Sequence, residues 1–288
     1  MLATLADTLQ AIHLALLALG ASAGLGVVVW LARAGRWRDP LAGVALPQQG
    51  PTVAAVGAVL LVFFALQFSL LRLLVQPPPA EAAAPLAPGS DLWHRTMAAE
   101  QGAAVTVAGL IVVLLAYTAR GPARRPGLWR GSAAAVVALL VLLPIVTLQE
   151  EAGRVVWRWL HPDVAPPVHA VLQALERSDW GTWGRWQLLI GAVLVAPLAE
   201  ELFFRGLLLQ AICHHTGLAW PAILVSAGAF GAVHAQPQDV LPLVSMGIVL
   251  GYLRFATGSV WPCILVHMLF NARTMTVVLL APELLHAM

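Results

Sequence analysis

Long apolar segments separated by short polar connections constrain the fold of this chain more than any other feature. The 288 residues are 60% hydrophobic and 10% charged, whereas a soluble domain usually carries about 25% charged residues. A helix needs about 20 mostly apolar residues to cross a bilayer. Eight segments approach that length, at about 9–31, 52–75, 98–117, 132–148, 186–212, 219–235, 240–255 and 260–280. The sequence therefore predicts an all-α, polytopic membrane helical bundle of about eight transmembrane helices.

The order of the segments divides the chain into three predicted parts. Residues 1–148 hold about four plain apolar spans and are expected to form a transmembrane scaffold. Residues 149–185 contain VVWRWL and HAVLQALE, whose apolar residues recur at helical spacing. This segment predicts one or two amphipathic helices at the membrane interface, which either pack on the surface or guide substrate. Residues 186–288 hold about four more spans and form the predicted catalytic core.

Charge and cysteine content narrow the setting of the protein. A formal net charge of +2 is too small to favour nucleic-acid binding, and neither Cys213 nor Cys263 implies a disulfide framework. No cleavable signal peptide is expected, because the N-terminus lacks positive charge and the first segment is long enough to span. The Arg-rich connections 33–38 and 120–130 predict a cytoplasmic side, which leaves both termini outside. We expect an integral protein of a bacterial inner membrane.

Six polar side chains lie within or at the ends of the last apolar segments. They are Glu200, Glu201 and Arg205 in the fifth segment, His234 at the end of the sixth, and His267 and Asn271 in the eighth. Insertion of an Asp, Lys or Arg at the centre of a membrane helix costs about 2.5 to 3.5 kcal/mol, so such residues face one another or a polar cavity. A functional site is the default interpretation of this cluster.

Helical spacing assigns different roles to the members of this cluster. Glu201 and Arg205 are four residues apart and share a face, so they are expected to form an ion pair. Glu200 points about 100° away and is left to face the cavity, where it can act as a general base. His234 can help to position or deprotonate a water beside Glu200.

His267 and Asn271 are also four residues apart and present to one cavity. An imidazole N–H and an amide N–H are donors suited to a developing oxyanion. Together with a water activated by Glu200 and His234, they predict a peptidase that needs no nucleophilic side chain.

Zinc is the alternative to water activation by the protein alone. In that case Glu200, His234 and His267 would be the metal ligands, since two His and one Glu form a known catalytic zinc set. The H-E-x-x-H helix is absent and no Cys joins the cluster. Asn271 favours the mechanism without a metal cofactor, because an amide suits an oxyanion better than zinc.

Three stretches carry a resemblance to a known family. EELFFRG at 200–206, FGAVH at 230–234 and HMLFN at 267–271 resemble the motifs of the intramembrane CAAX-protease and bacteriocin-processing family, also called the Abi family. The resemblance implies an intramembrane endopeptidase related to the CAAX prenyl endopeptidases. It implies that Glu200 is the catalytic glutamate and that His234 assists it. It also implies that His267 and Asn271 form the oxyanion-binding pair, and that Glu201 and Arg205 form the supporting ion pair. The family has been described as metallo- and as glutamate-dependent.

Two other functions remain open from the sequence. The chain could be a non-catalytic membrane scaffold or immunity protein that binds membrane peptides. It could also be a small transporter, which would show internal repeats of broken helices. The leading hypothesis is an intramembrane peptidase whose partners are the lipid bilayer and a membrane protein or peptide substrate, prenylated or not.

Other polar and aromatic groups are predicted to have ordinary structural roles. Charged pairs near helix ends suit interfaces and helix termini, and a Trp-rich stretch suits an interfacial aromatic belt. These groups are Glu100 with Gln101, Glu150 with Glu151, His214 with His215, and Trp157, Trp159, Trp180, Trp183 and Trp186.

Overall fold

The described part of the chain is built from helices. The structure is a computed structural model that describes residues 2–44, 46, 50–74, 91–118, 127–164, 182–234 and 239–280. Its helices are α1 (Leu2–Arg33), α2 (Val53–Leu74), α3 (Asp91–Thr118), α4 (Leu128–Leu160), α5 (residues 182–216), α6 (Ala219–Val233), α7 (Val240–Thr257) and α8 (Trp261–Leu280). The predicted all-α fold is confirmed.

Seven helices in the described residues are long and apolar enough to cross a membrane, and the chain is an integral membrane protein. Helix α6 is the exception, because it has 15 residues. At 1.5 Å per residue it is about 22 Å long, shorter than the roughly 30 Å hydrocarbon core. One end of α6 can therefore stop within the membrane, and His234 follows directly at its C-terminal end.

Helix α4 is longer than the predicted fourth span. It continues to Leu160 through an internal Pro144, so VVWRWL forms the end of α4 and not a separate interfacial helix. Near this proline, α1 and α4 touch closely, since a Cβ on Gly20 would lie 2.1 Å from the carbonyl oxygen of Leu140. HAVLQALE and the other residues of 165–181 in the predicted interfacial segment lie outside the described residues, as do Arg120, Arg124 and Arg125.

Helix α5 contains two π-helical turns along its length. It is α-helical at Thr182–Ile190, Ala196–Glu201 and Leu209–Thr216, with π-helical turns at Gly191–Val195 and Leu202–Leu208. The N–H of Ala196 donates to the carbonyl of Gly191, five residues back, and Leu209 does the same to Phe204. Such turns occur often at functional sites. Here they frame the acidic stretch that carries Glu200 and Glu201.

Small residues bring α6 and α7 into close contact. A Cβ on Gly247 would lie 2.7 Å from the Cβ of Ala227, and one on Gly251 would lie 3.1 Å from Ile223. A Cβ on Gly231 would likewise lie 2.7 Å from Cγ2 of Val244. Such residues let helix backbones approach in a membrane, where packing drives association. The contact fixes the short helix α6, and with it His234, against α7.

Candidate active site

Glu201 is a buried carboxylate that joins α5 to α8. Its Oε1 accepts hydrogen bonds from Arg205 Nη1 at 2.7 Å and from His267 Nδ1 at 2.9 Å. Glu201 and Arg205 have no exposed surface. The guanidinium of Arg205 also lies 4.6 Å from the ring centre of Phe230, and its Nη2 donates to the carbonyl of Gly247 at 3.4 Å. The ion pair expected from the spacing is therefore present, with three further contacts around it.

The bond between Glu201 and His267 determines that Nδ1 of the imidazole carries a hydrogen. A carboxylate only accepts hydrogen bonds, so Nδ1 of His267 carries the proton. In the neutral ring Nε2 then holds a lone pair, and this atom faces Glu200. His234 is oriented in the same manner, since its Nδ1 donates to the carbonyl of Phe230 at 2.8 Å. Both rings thus turn their Nε2 atoms toward one carboxylate.

Glu200 lies between these two imidazoles. Its Oε2 is 3.9 Å from Nε2 of His234 and 3.9 Å from Nε2 of His267. These distances are too long for direct hydrogen bonds. The Oε2 atom is buried and has no hydrogen-bond partner among the described residues, while 29% of the Glu200 side chain is exposed. A gap of this size between polar atoms suits a bridging water.

Phe230 forms the apolar wall of this arrangement. It is fully buried, and its ring packs edge-on against His234, His267 and Phe204 at centroid distances of 4.9, 5.7 and 5.2 Å. Its carbonyl orients His234 and its ring faces Arg205. One side chain therefore supports both imidazoles and the buried cation, which explains physically why an aromatic residue suits position 230.

Asn271 is near the cluster but its amide is engaged elsewhere. Nδ2 donates to the carbonyl of Ala192 in the first π turn of α5, at 2.8 Å. An amide nitrogen has two N–H groups, so one remains for another acceptor. The role of Asn271 in an oxyanion site stays a prediction, and its orientation is set by α5.

The zinc alternative requires suitable donor atoms and a suitable arrangement of them. Glu200, His234 and His267 offer one carboxylate and two imidazole nitrogens, which is zinc-like chemistry. Among the residues that the structure describes, no three His, Cys, Asp or Glu side chains are arranged to hold a metal ion. The side chains as placed do not form a metal centre, and the mechanism without a metal cofactor stays a prediction, with zinc as its alternative.

Several of the groups expected to be structural are exposed or are paired outside this cluster. Glu151 pairs with Arg154 on the same helix, and His214 and His215 are exposed near the end of α5. Trp159 and Trp183 are 81% and 73% exposed, as an interfacial belt requires. Trp180 lies outside the described residues.

Two polar contacts between distant helices were not foreseen. Arg273 Nη2 donates to Nδ1 of His13 at 2.6 Å and links α8 to α1. Gln101 Nε2 donates to the carbonyl of Gln187 at 3.0 Å and links α3 to α5. A lone His in the first apolar segment and a Gln in the third are the signals that could have indicated them.

Comparison with known proteins bears on this stretch of the chain. Residues 182–273 match a family model described as type II CAAX prenyl endopeptidase Rce1-like. The resemblance is confirmed over these residues. The Rce1-like match contains all six polar residues of the cluster, from Glu200 to Asn271, and begins where α5 begins.

Two curated proteins align with part of the same chain. One, named "Putative membrane peptidase YdiL", from Bacillus subtilis, is 31% identical over 84 residues, which are 29% of this chain and 34% of that protein. The other, an "Uncharacterized 24.3 kDa protein" from Escherichia coli, is 30% identical over 84 residues, 28% of this chain and 39% of that protein. The chain thus covers between 34% and 39% of the length of these relatives. No solved structure gives a significant match.

Proposed function

We propose that this chain is a membrane peptidase that hydrolyses a peptide bond of a membrane-associated protein or peptide. The observation that carries the proposal is the position of Glu200 Oε2, 3.9 Å from the Nε2 atoms of both His234 and His267 and without a protein partner among the described residues. The Rce1-like match over the same residues supports it.

The geometry suits a water held between Glu200 and His234. Such a water donates one hydrogen to Nε2 of His234 and the other to Glu200, and its oxygen lone pair is left for the substrate. As the oxygen bonds to the scissile carbonyl carbon, Glu200 takes the proton. Glu200 then delivers it to the leaving nitrogen as the oxyanion re-forms the carbonyl and the C–N bond breaks, which yields a carboxylic acid and an amine.

His267 is placed to stabilise the negative charge that develops on the carbonyl oxygen. Its Nδ1–H is held by the buried carboxylate of Glu201, and a carboxylate in this position stabilises an imidazolium, as in hydrolytic triads. In this role His267 is an imidazolium when the substrate binds, so Nε2 as well as Nδ1 carries a hydrogen and can donate, and the second N–H of Asn271 completes the pair. Loss of one such donor lowers kcat by about 10² to 10³-fold.

The substrate class follows from the family description and is part of the proposal. An Rce1-like chain is expected to cleave near a prenylated cysteine at a C-terminus, and the relatives named above leave other membrane peptides open. A pair of fluorogenic peptides with the same C-terminal sequence, one farnesylated and one not, separates these cases. Faster cleavage of the farnesylated peptide assigns the prenylated class.

The test of the function is turnover by purified enzyme in lipid nanodiscs. We expect Glu200→Gln to lower kcat by about 10² to 10⁴-fold, because it keeps the shape of the side chain and removes the base. Glu151→Gln is the matched control, since Glu151 pairs with Arg154 outside the cluster, and it should leave kcat unchanged. Equal turnover by wild type and Glu200→Gln contradicts the assignment. Peptide binding without cleavage by wild type favours a non-catalytic scaffold.

A further inference from the structure

A residue from the N-terminal half of the chain, which the family match does not cover, contacts the helix that carries Glu200. Gln101 lies on α3, whereas the match begins at residue 182. Its amide crosses to α5, where Nε2 donates to the carbonyl of Gln187 at 3.0 Å. Gln187 is held in addition by His94 of α3, through bonds of 3.0 and 3.2 Å between the two residues. Helix α3 is thus hydrogen-bonded to α5 about one turn before the first π turn.

Gly191 makes the contact with Gln101 sterically feasible. A Cβ at position 191 would lie 2.4 Å from Nε2 of Gln101, well inside the closest approach of real atoms. The amide therefore occupies the space that any other side chain would fill. The first π turn begins at this same glycine, because the N–H of Ala196 donates to its carbonyl. The glycine thus leaves room for the glutamine amide at the point where the winding changes.

The π turn leaves the carbonyl of Ala192 for another donor. The residue five positions further on is Pro197, which has no N–H. The N–H four positions further on belongs to Ala196 and is used by Gly191. Asn271 Nδ2 donates instead to the carbonyl oxygen of Ala192, at 2.8 Å. The orientation of this amide is therefore determined by the path of the α5 backbone between Gly191 and Pro197.

We propose that Gln101 is a positioning residue for the site, which holds the first π turn of α5 so that Ala192 fixes the amide of Asn271. The role in catalysis rests on the proposed function above. Gln101 touches neither Glu200 nor the imidazoles in the described structure, so it acts through Asn271. A small displacement of a group near the reacting atoms is enough to cost up to about 100-fold in rate.

The chain offers a direct spectroscopic reporter of this linkage. Asn271 is the sole asparagine among the 288 residues. Protein labelled only with ¹⁵N-asparagine therefore gives one side-chain NH₂ group in an NMR spectrum. One of its two protons should be shifted downfield by the bond to Ala192, and this proton should exchange slowly with water.

The variants are chosen to break the contact from both sides. Gln101→Leu removes the donor at nearly constant volume, and Gly191→Ala pushes the amide away from Gln187. The matched control is Gln210→Leu, because Gln210 is a buried glutamine of helix α5 whose Nε2 has no partner in the described structure. The purified proteins are compared in nanodiscs, and thermal unfolding identifies a variant that fails to fold.

We expect Gln101→Leu and Gly191→Ala each to move the bonded Asn271 proton upfield and to speed its exchange about fivefold, the factor for loss of one hydrogen bond. Both should lower kcat about 10- to 100-fold with KM within about twofold, since the interaction is used in the transition state. The double variant should resemble either single one, because both break the same contact. Gln210→Leu should change none of these values.

Unchanged Asn271 resonances in both variants overturn the inference, and so does a fall in kcat without a change in Asn271. Failure of the proposed function is a separate result, namely wild-type turnover that does not depend on Glu200. The Asn271 spectrum still decides the linkage in that case, because it does not require activity.

Discussion

At the scale of single residues, the pairing of Glu201 and Arg205 decides whether charge can remain inside this apolar bundle. Both side chains are fully buried, and an unpaired buried charge is costly. The carboxylate meets the guanidinium and His267, and the guanidinium lies over Phe230. The pair is therefore expected to support the site by holding the imidazole of His267 as well as by compensating charge.

Arg205→Ala tests this pair. The substitution leaves Glu201 as an unpaired buried carboxylate, and breaking such a pair costs about 3 to 5 kcal/mol. We expect a large fall in thermal unfolding temperature or in yield. The double variant Glu201→Gln/Arg205→Met should recover part of the loss, because it leaves no unpaired charge.

The control for this experiment is Arg154→Ala. The pair of Arg154 and Glu151 is partly exposed, at 21% and 47% of the side chains, and such pairs are worth about 1 kcal/mol or less. A stable and active Arg205→Ala protein would show that the buried pair is not structural.

Sequence spacing explains some contacts of the site and not others. Glu201 and Arg205 could be paired from the sequence, because residues four apart on a helix are neighbours. The bond from His267 to Glu201 joins residues 66 positions apart, which no local pattern encodes. The amide of Asn271 turns toward Ala192 because a π turn frees that carbonyl, and helical periodicity of 3.6 residues does not anticipate such a turn.

At the scale of elements, the short helix α6 and the interrupted helix α5 shape the site. The apolar segment 219–235 predicts a full span, yet the 15 residues of α6 end at Val233 and leave His234 at the edge of the helix. The apolar segment that predicts this span reflects hydrophobicity alone, and hydrophobicity says little about where a helix ends. Pro197 is the local signal for the first π turn, since it removes a backbone donor.

The packing of α6 on α7 supplies a prediction at this scale. Gly247→Ala places a Cβ 2.7 Å from the Cβ and 2.8 Å from the Cα of Ala227, so the helices must separate. Overpacking of this kind costs about 1 to 3 kcal/mol. We expect lower thermal stability, and a lower kcat because His234 moves relative to Glu200.

Gly228→Ala on α6 is the matched control for the packing test. A Cβ on Gly228 meets nothing within 4 Å in the described structure, so stability and kcat should be retained. If Gly247→Ala is as stable and as active as Gly228→Ala, the close approach of α6 and α7 does not position His234.

At the scale of the whole molecule, α1 and α3, which lie outside the family match, are joined by specific polar contacts to residues that lie within it. His13 of α1 bonds to Arg273 of α8, and Gln101 of α3 bonds to α5. Gly20 of α1 meets α4 beside Pro144. The division into a scaffold (1–148), an interfacial segment (149–185) and a core (186–288) remains a proposal, and these contacts indicate that the scaffold also positions the site.

The helical bundle could be predicted from hydrophobic segment length, because a chain this apolar can satisfy its backbone in a membrane by forming helices. The arrangement of the bundle could not, because contacts such as His13 with Arg273 join residues 260 positions apart. The grouping of Glu200, His234 and His267 was inferred from the cost of polar groups in hydrocarbon, and the structure places the three side chains together.

The central claim is that a water activated by Glu200, without a metal cofactor, attacks the substrate. The most direct measurement is a single turnover in H₂¹⁸O with enzyme stripped by chelation and checked by elemental analysis, followed by mass spectrometry of the product and of the Glu200 peptide. We expect one heavy oxygen in the new carboxylate, none in Glu200, a rate unchanged by chelation, and no product from Glu200→Gln. Loss of the reaction on chelation with recovery on adding zinc, or equal product from Glu200→Gln, would contradict the account.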